Sequence, residues 1–433
     1  MGHSLKEKIS TRSLRIAIIG LGYVGLPLAT TFAEAGFNVV GIDVDQQRVE
    51  QANRGESYIS DVDDETLQKL IDSGHLSFST DYATLADCDA ISICVPTPLR
   101  KTRDPDISYI IAATQQVTTY LHAGQIIVLE STTYPGTTNE VLLPALEASG
   151  LKVGKDFYLA FSPERIDPGN PLYGTKNTPK VVGGVTEACT ELAQSYYAAA
   201  IEQVIPVSSA RVAEMTKLLE NTFRAVNIGL VNEIAIICEK LGINVWEVID
   251  AAVTKPFGFM RFLPGPGLGG HCIPIDPHYL SWKLKTLDYT ARFIELAAEI
   301  NSSMPHYVVR KITEALNEQR RSLNGATILI LGIAYKKNVG DARESPALEI
   351  IQELFRHKAQ VIYNDEYAPS ITLEGRALSS QPLSSGLLQA ADCVALITDH
   401  DYYDTSWIVQ EARSIVDTRN MARGIHDEKI LRL

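Results

Sequence analysis

Cys272 stands in PGPGLGGHCIPIDPHYL, residues 264–280, just after Gly269 and Gly270 with His271 between, and four residues ahead of Asp276. Flanking glycines carry no side chains to crowd a thiol, so the sulfur is expected to be sterically bare. Three chemistries compete for such a stretch: zinc binding, nucleophilic attack, or none. Zinc wants four nitrogen or sulfur ligands; adjacent His271 and Cys272 seldom chelate one tetrahedral ion, His278 adds only one more, and no C-x-x-C or H-x-x-x-H stands elsewhere. Inert packing suits Cys88, Cys94, Cys189, Cys238 and Cys393, which lie in strand-like or helical segments. Cys272 in its glycine-rich loop fits a nucleophile, and a cation such as Lys217 close by would favour the thiolate. Lys217 and Asn221, four apart in the largely apolar TKLLENTFRAV, share one helix face, which suits a buried cation with a purpose.

A second constellation opens the chain. RIAII (15–19) reads as a buried strand, followed by the turn Gly20-Leu21-Gly22-Tyr23-Val24-Gly25, a helical run to Gly36 and a second strand, NVVGID, ending at Asp43. That order suits a dinucleotide: glycines let backbone and helix start approach a pyrophosphate, and the acid accepts ribose hydroxyls. Asp43 would repel a 2′-phosphate, which favours NAD over NADP, although Arg48 is placed to favour the phosphate. Farther on, IIVLESTTYPGTT reads as a strand entering a hydroxyl-rich loop that holds Thr132, and FYLAFSPERIDPGN places Glu164 just past another strand. Such loops, at the carboxyl ends of strands, are where open α/β sheets bind ligands. Taken alone, Glu164 reads as a turn or helix-start residue.

These groups need elements to hold them, and the chain partly repeats itself to provide them. ATILILG (326–332) echoes LRIAIIG (14–20), KAQVIYND (358–365) echoes GFNVVGID, and AADCVALIT (390–398) echoes LADCDAISI. Two Rossmann-like, doubly wound α/β halves are expected, joined by a helical domain. In the second half GIAYKK replaces the glycine turn, so Lys336 and Lys337 stand where a phosphate ligand would be met by side chains. Between the halves, Pro206 and Ser208 or Ser209 precede a long helical run from about residue 210 to Gly242, expected to join the domains and supply a dimer interface. The divisions are placed at 1–206, 207–318 and 319–433.

The 433 residues suffice for two or three cores, and no apolar run approaches the roughly 20 residues needed to cross a bilayer. The polar start, MGHSLKEKISTR, has no secretory pattern, and the six scattered cysteines suggest reduced thiols, so a cytoplasmic location is expected. A net charge of −13 argues against nucleic-acid binding; an anionic ligand must be met locally by Lys, Arg or backbone N–H groups.

NAD with a cysteine nucleophile narrows the chemistry. Alcohol oxidation needs no thiol, whereas oxidation of an aldehyde to an acid gains from one: the thiohemiacetal yields a second hydride and becomes a thioester for water to cleave. Taken together, GLGYVGLPLA, ESTTYPGTT, FSPER, KLLENTFRAVNI, GPGLGGHCIPIDP and GIAYKKNVGDARESP resemble, in order, the UDP-glucose/GDP-mannose dehydrogenase family, over about 14–420. FSPERIDPGN and GGHC are most similar to the branch that oxidises UDP-N-acetylglucosamine at C6; UDP-glucose enzymes more often carry Asn-Pro-Glu-Phe and a Ser in place of His271.

The resemblance implies a four-electron oxidation of the C6 hydroxyl of a UDP-sugar, with two NAD per turnover. Cys272 is then the nucleophile, Lys217 and Asn221 stabilise oxyanions, Asp276 assists base or water chemistry, and Glu164 and Thr132 handle protons and the hydrolytic water. NAD is held through Gly20, Gly22, Tyr23, Val24, Gly25, Asp43, Arg48, Thr97, Thr132 and Arg343. The sugar nucleotide meets Glu164, Arg165, Lys217, Asn221, Phe257, Arg261, Gly265 and Lys336, the last from a C-terminal nucleotide-sugar domain, and a homodimer is implied. No metal is called for. UDP-glucose, UDP-N-acetylmannosamine and UDP-N-acetylgalactosamine stay open as substrates. A two-electron 3-hydroxyacid dehydrogenase would share the Rossmann fold, long helix and Lys/Asn pair but make no use of GGHC, and a sensor without turnover would need a disabled site.

Overall fold

The structure is a computed structural model that describes residues 4–433 apart from 60, 101–103, 168, 169, 171 and 271. It divides into two compact units, Met1–Glu220 with His278–Tyr289 and Asn221–Pro277 with Thr290–Leu433.

The first unit is built on an eight-stranded sheet. Its strands are β1 (Arg15–Ile19), β2 (Asn38–Ile42), β3 (Leu76–Ser79), β4 (Ala90–Ile93), β5 (Gln125–Leu129), β6 (Phe157–Phe161), β7 (Lys180–Gly184) and β8 (Val204–Pro206). They lie in the order β3-β2-β1-β4-β5-β6-β7-β8, parallel except for the antiparallel pair β6–β7. The order reverses direction between β1 and β4, so their carboxyl ends flank a crevice. Apart from the exposed first residues of β1 and β2, the central strands are buried, as expected where helices cover both faces of a sheet. Helix Gly25–Glu34 packs by Leu26, Leu28, Ala29 and Phe32 into the core containing Ile16 and Ile18.

The second unit holds five parallel strands, β9 (Thr327–Leu331), β10 (Gln360–Asn364), β13 (Cys393–Leu396), β14 (Ile415–Asp417) and β15 (Ile430–Arg432), in the order β10-β9-β13-β14-β15. A small hairpin, β11 (Ser370–Leu373) with β12 (Arg376–Ser379), is inserted between β10 and β13. The expected pair of doubly wound sheets is present. Helix Pro346–Arg356 begins where Ser345 caps it and Pro346 presets its first turn.

The long helix Ala210–Leu241 has 32 residues, about 48 Å at the usual rise, and ends before Gly242 at φ +67°. Its later turns lie against helix Arg292–Glu318 at Gly229, where an added Cβ would stand 3.2 Å from Ala297 Cα. Beside that contact Asn301 donates to the Ala225 carbonyl at 3.0 Å and accepts from Asn232 at 2.9 Å.

Candidate active site

In the first unit the glycine turn forms a socket. A Cβ on Gly20, at φ +91°, would lie 2.7 Å from the Cys94 carbonyl oxygen, and one on Gly25 would lie 1.8 Å from the Gly20 oxygen. These two glycines bring strand and helix together. A Cβ on Gly22 meets nothing within 4 Å, so that glycine leaves room for a ligand. Tyr23 and Val24 lead into helix Gly25–Glu34, whose start has no capping side chain to satisfy its N–H groups. Asp43, buried at the end of β2, accepts from Leu21 N–H (2.8 Å) and Asp45 N–H (2.9 Å), one on each oxygen. Each oxygen keeps a lone pair for a ribose hydroxyl. Arg48 sits 3.9 Å from Asp43 and 3.5 Å from Asp45, bound to carboxylates rather than presented to a phosphate. An NAD molecule fits this socket, with pyrophosphate at the helix start and ribose at Asp43.

Loops beyond β4 and β5 complete this edge. The Thr97 carbonyl accepts from Tyr279 Oη at 2.5 Å. After β5, Ser131 Oγ donates to the Val95 carbonyl (2.7 Å), and Thr133 and Thr137 share a hydrogen bond at 2.6 Å; Thr132, between Ser131 and Thr133 in the chain, is half-buried. Glu214 of the long helix fixes the loop by accepting from Gly136 N–H (2.6 Å) and Thr138 N–H (2.9 Å). Burial holds the Glu214 carboxyl above the usual carboxylate range, against the pull of those donors. Lys217, three residues on, is only 7% exposed, and no described residue pairs with it. A buried, unpaired ammonium is costly unless a ligand supplies the negative charge.

Glu164 lies past β6 within a buried cluster that sequence reading missed. Lys180 Nζ stands 2.7 Å from Glu130 and 3.2 Å from Glu164, and Tyr197 Oη donates to Glu130 at 2.5 Å. Arg165 is clasped by Glu220 of the long helix (2.6 Å) and donates to the Pro179 carbonyl (2.7 Å).

In the second unit Cys272 is the one half-exposed cysteine; the other five are buried. Burial pushes the Cys88 thiol up to about 11, Cys393 up to about 12 and Cys94 well above its ordinary value, so these stay protonated and inert. The Cys272 carbonyl accepts from Asp276 N–H at 2.8 Å, and the buried Asp276 carboxylate accepts from Asn221 Nδ2 at 2.5 Å. Asn221 therefore keeps one amide N–H for a ligand.

The role expected of the glycines needs correction. A Cβ on Gly269 would lie 2.6 Å from Tyr335 Cβ, and one on Gly270 2.8 Å from the Tyr335 ring. Their bareness admits that side chain rather than leaving open space beside the sulfur. Gly270 N–H also donates to the Arg343 carbonyl at 3.3 Å. Gly265 has a similar reason: its N–H donates to Asn232 at 2.9 Å, and a Cβ there would lie 2.7 Å from the Arg419 guanidinium. Arg419 is a further cation that sequence reading passed over; burial lowers its pKa, and its Nε donates to the Ile397 carbonyl at 2.9 Å.

Other expected residues are committed elsewhere or lie open. Arg343 forms a fork with Asp341 (2.9 and 2.7 Å), Arg261 pairs with Asp250 (2.8 Å), and Phe257 is 71% exposed beneath Lys255. Lys336 is half-buried, whereas its neighbour Lys337 is exposed and bound to Asp401 at 2.7 Å. Among the described residues no group of three or more His, Cys, Asp or Glu could hold a metal ion; His271, one ligand of the zinc alternative, lies outside them. No helix among them is long and apolar enough to cross a membrane.

Three family models cover most of the chain: the NAD binding domain (14–201), central domain (211–303) and UDP binding domain (329–424) of the UDP-glucose/GDP-mannose dehydrogenase family. A UDP-N-acetyl-D-glucosamine 6-dehydrogenase of Pseudomonas aeruginosa is 37% identical over 84% of each chain. An NDP-N-acetyl-D-galactosaminuronic acid dehydrogenase of Ralstonia nicotianae is 36% identical over 94% of this chain and 96% of its own. The solved UDP-D-ManNAc dehydrogenase of Pyrococcus horikoshii superposes with a TM-score of 0.88 at 33% identity, covering 97% of this chain and 99% of its own.

Proposed function

The chain belongs to the UDP-glucose/GDP-mannose dehydrogenase family and is an NAD-dependent nucleotide-sugar dehydrogenase, and from that premise we propose that it oxidises C6 of UDP-N-acetylglucosamine to the uronic acid through a covalent bond to Cys272. The observation that carries the covalent route is the single half-exposed thiol, four residues before a buried carboxylate held by Asn221. The choice of sugar rests on the FSPERIDPGN and GGHC wording and on the 37% identical relative.

Bound NAD supplies the hydride acceptor at each of two oxidations. Lys217 and Asn221 stabilise the developing oxyanions, the first as a buried cation with no partner among the described residues, the second through its remaining amide hydrogen. The Cys272 thiolate adds to the aldehyde; the resulting thiohemiacetal loses the second hydride and becomes a thioester. Water then cleaves the thioester, with Glu164 taking its proton, Thr132 placing it and Asp276 assisting. Arg165, Phe257, Arg261, Gly265 and Lys336 contact the sugar nucleotide, and Arg48, Thr97 and Arg343 join the socket in holding NAD.

We assign 1–206 to NAD binding, 207–318 to the helical substrate and dimer domain, and 319–433 to nucleotide-sugar binding, and place the enzyme in the cytoplasm as a homodimer. Support for the dimer comes from a stripe of exposed apolar residues on the long helix, Phe223, Leu230 and Ile237, spaced by seven. A monomeric mass by light scattering would refute that assembly.

Incubation with UDP-N-acetylglucosamine and its manno, galacto and glucose counterparts tests the main reading. Two NADH per uronic acid are expected, fastest with the first sugar, and Cys272→Ala should form no net acid. A one-to-one ratio, or undiminished acid from the variant, overturns the covalent route; preference for another sugar overturns the substrate assignment.

A further inference from the structure

Lys180 reaches the ligand-binding edge of its sheet through an irregularity in strand direction. In a wholly parallel sheet the first residue of a strand lies at the edge away from ligands. Here β7 runs antiparallel to β6, with Phe161 opposite Gly183 and Ala160 opposite Gly184, so Lys180 at its start comes beside the carboxyl ends of β5 and β6. Glu130 follows β5 directly, and Glu164 stands three residues past β6.

The three side chains form a nearly dry cluster, with exposures of 5% for Lys180, 0% for Glu130 and 13% for Glu164. One Glu130 oxygen accepts from Lys180 and the other from Tyr197. One Glu164 oxygen accepts from the N–H groups of Arg165 (2.6 Å) and Ile166 (2.9 Å); the other faces Lys180 at 3.2 Å. Around them lie Tyr196 and Cys94, both neutral because burial raises their pKa, and the Arg165–Glu220 pair, which cancels its own charge. Lys180 is thus the charge that decides the state of Glu164.

We propose that Lys180, anchored by Glu130 and Tyr197, is a positioning residue that holds Glu164 as an aimed carboxylate, ready to take a proton from the water that cleaves the thioester. This rests on the assignment of Glu164 to that step. In it, the water oxygen bonds to the acyl carbon and the carbon–sulfur bond breaks. One water proton passes to Glu164 and on to the departing thiolate, and the other is released as the product acid ionises. Burial alone would raise the Glu164 carboxyl; the Lys180 charge and the two backbone donors outweigh it and hold the carboxyl below its ordinary range. Burial raises the carboxyl of Glu130, against the pull of the same lysine.

The test is the pH profile of kcat for acid formation by the NAD-saturated enzyme. A carboxylate with a depressed pKa works as a base down to that pKa, so removing its cation must move the acidic limb to higher pH. Lys180→Met is expected to show this shift, with a fall of about 100-fold near neutrality and an unchanged KM for NAD; Lys180→Arg should restore much of the rate. Glu130→Gln, which keeps the volume and removes a neighbouring negative charge, should move the limb to lower pH and serves if Lys180→Met does not fold. A limb unmoved in these variants, while Glu164→Gln stops acid formation, overturns the role of Lys180 and leaves that of Glu164 standing. Acid formation undiminished in Glu164→Gln overturns both.

Discussion

At the scale of single residues, identity alone does not decide what a side chain does; its committed hydrogen bonds do. Asn221 spends one amide hydrogen on Asp276, and that bond satisfies a carboxylate only 3% exposed. Asn221→Leu would leave the acid short of a donor in a dry place, at a stability cost of about 1–3 kcal/mol. Loss of the proposed oxyanion donor should also lower kcat by about 100- to 1000-fold. Thermal unfolding and steady-state rates measure the two effects separately, and a variant with native stability and rate would show that the pair is incidental. Cys272, Lys217 and Asn221 were picked out as candidates by residue type and spacing. Lys180, Glu130 and Arg419 were not: their significance comes from partners tens of residues away, as with Lys180 and Glu130 across fifty positions.

Among elements, the strands and the first glycine turn were readable because their signals are local: short apolar runs, then Gly20, Gly22 and Gly25 with their fixed spacing. The reversal of β7 was hidden, since a short apolar run such as KVVGG carries no signal of its direction relative to a neighbouring strand. Also hidden was the meeting of the long helix with helix Arg292–Glu318. Gly229 permits it, and the contact sets the height of Asn232, which in turn holds the loop at Gly265. Gly229→Val would press a branched side chain on the Ala297 backbone and should cost about 1–3 kcal/mol, lowering Tm by several degrees. Gly229→Ala gains about 1 kcal/mol of helix propensity against a tight 3.2 Å approach and should be nearly neutral. Calorimetry on the two variants checks the contrast, and equal Tm values for both would contradict it.

For the whole molecule, the repeated α/β pattern raises the question of how many dinucleotides one chain holds. Asp365 ends β10 as Asp43 ends β2, and it accepts from Ile333 N–H (2.6 Å) and Ala334 N–H (2.8 Å) after the turn at Gly332. Its other oxygen accepts from Tyr367 N–H, as Asp43 does from Asp45 N–H, but Ala368 N–H and His400 Nε2 add donors that Asp43 lacks, so its oxygens are used up. Burial works to raise the Asp365 carboxyl, yet these donors bring it below its ordinary range. One NAD per chain is therefore expected by calorimetric titration, and a second site of comparable affinity would contradict this. The sequence disclosed the repetition of the strands but not the saturation of the second acid, because the added donors, His400 and the Ala334 and Ala368 amides, are set by loop conformation and carry no residue-type signal.

That saturated carboxylate has a consequence for any attempt to retool the C-terminal half. Restoring a glycine-rich turn there would recreate the outline of a cofactor berth while its ribose anchor stayed locked. His400 would have to be vacated first, and because its other ring nitrogen accepts from Asn338 N–H, the loop carrying Lys336 would slacken with it. The two halves share an ancestral-looking frame, but the second has exchanged adaptability for a latch.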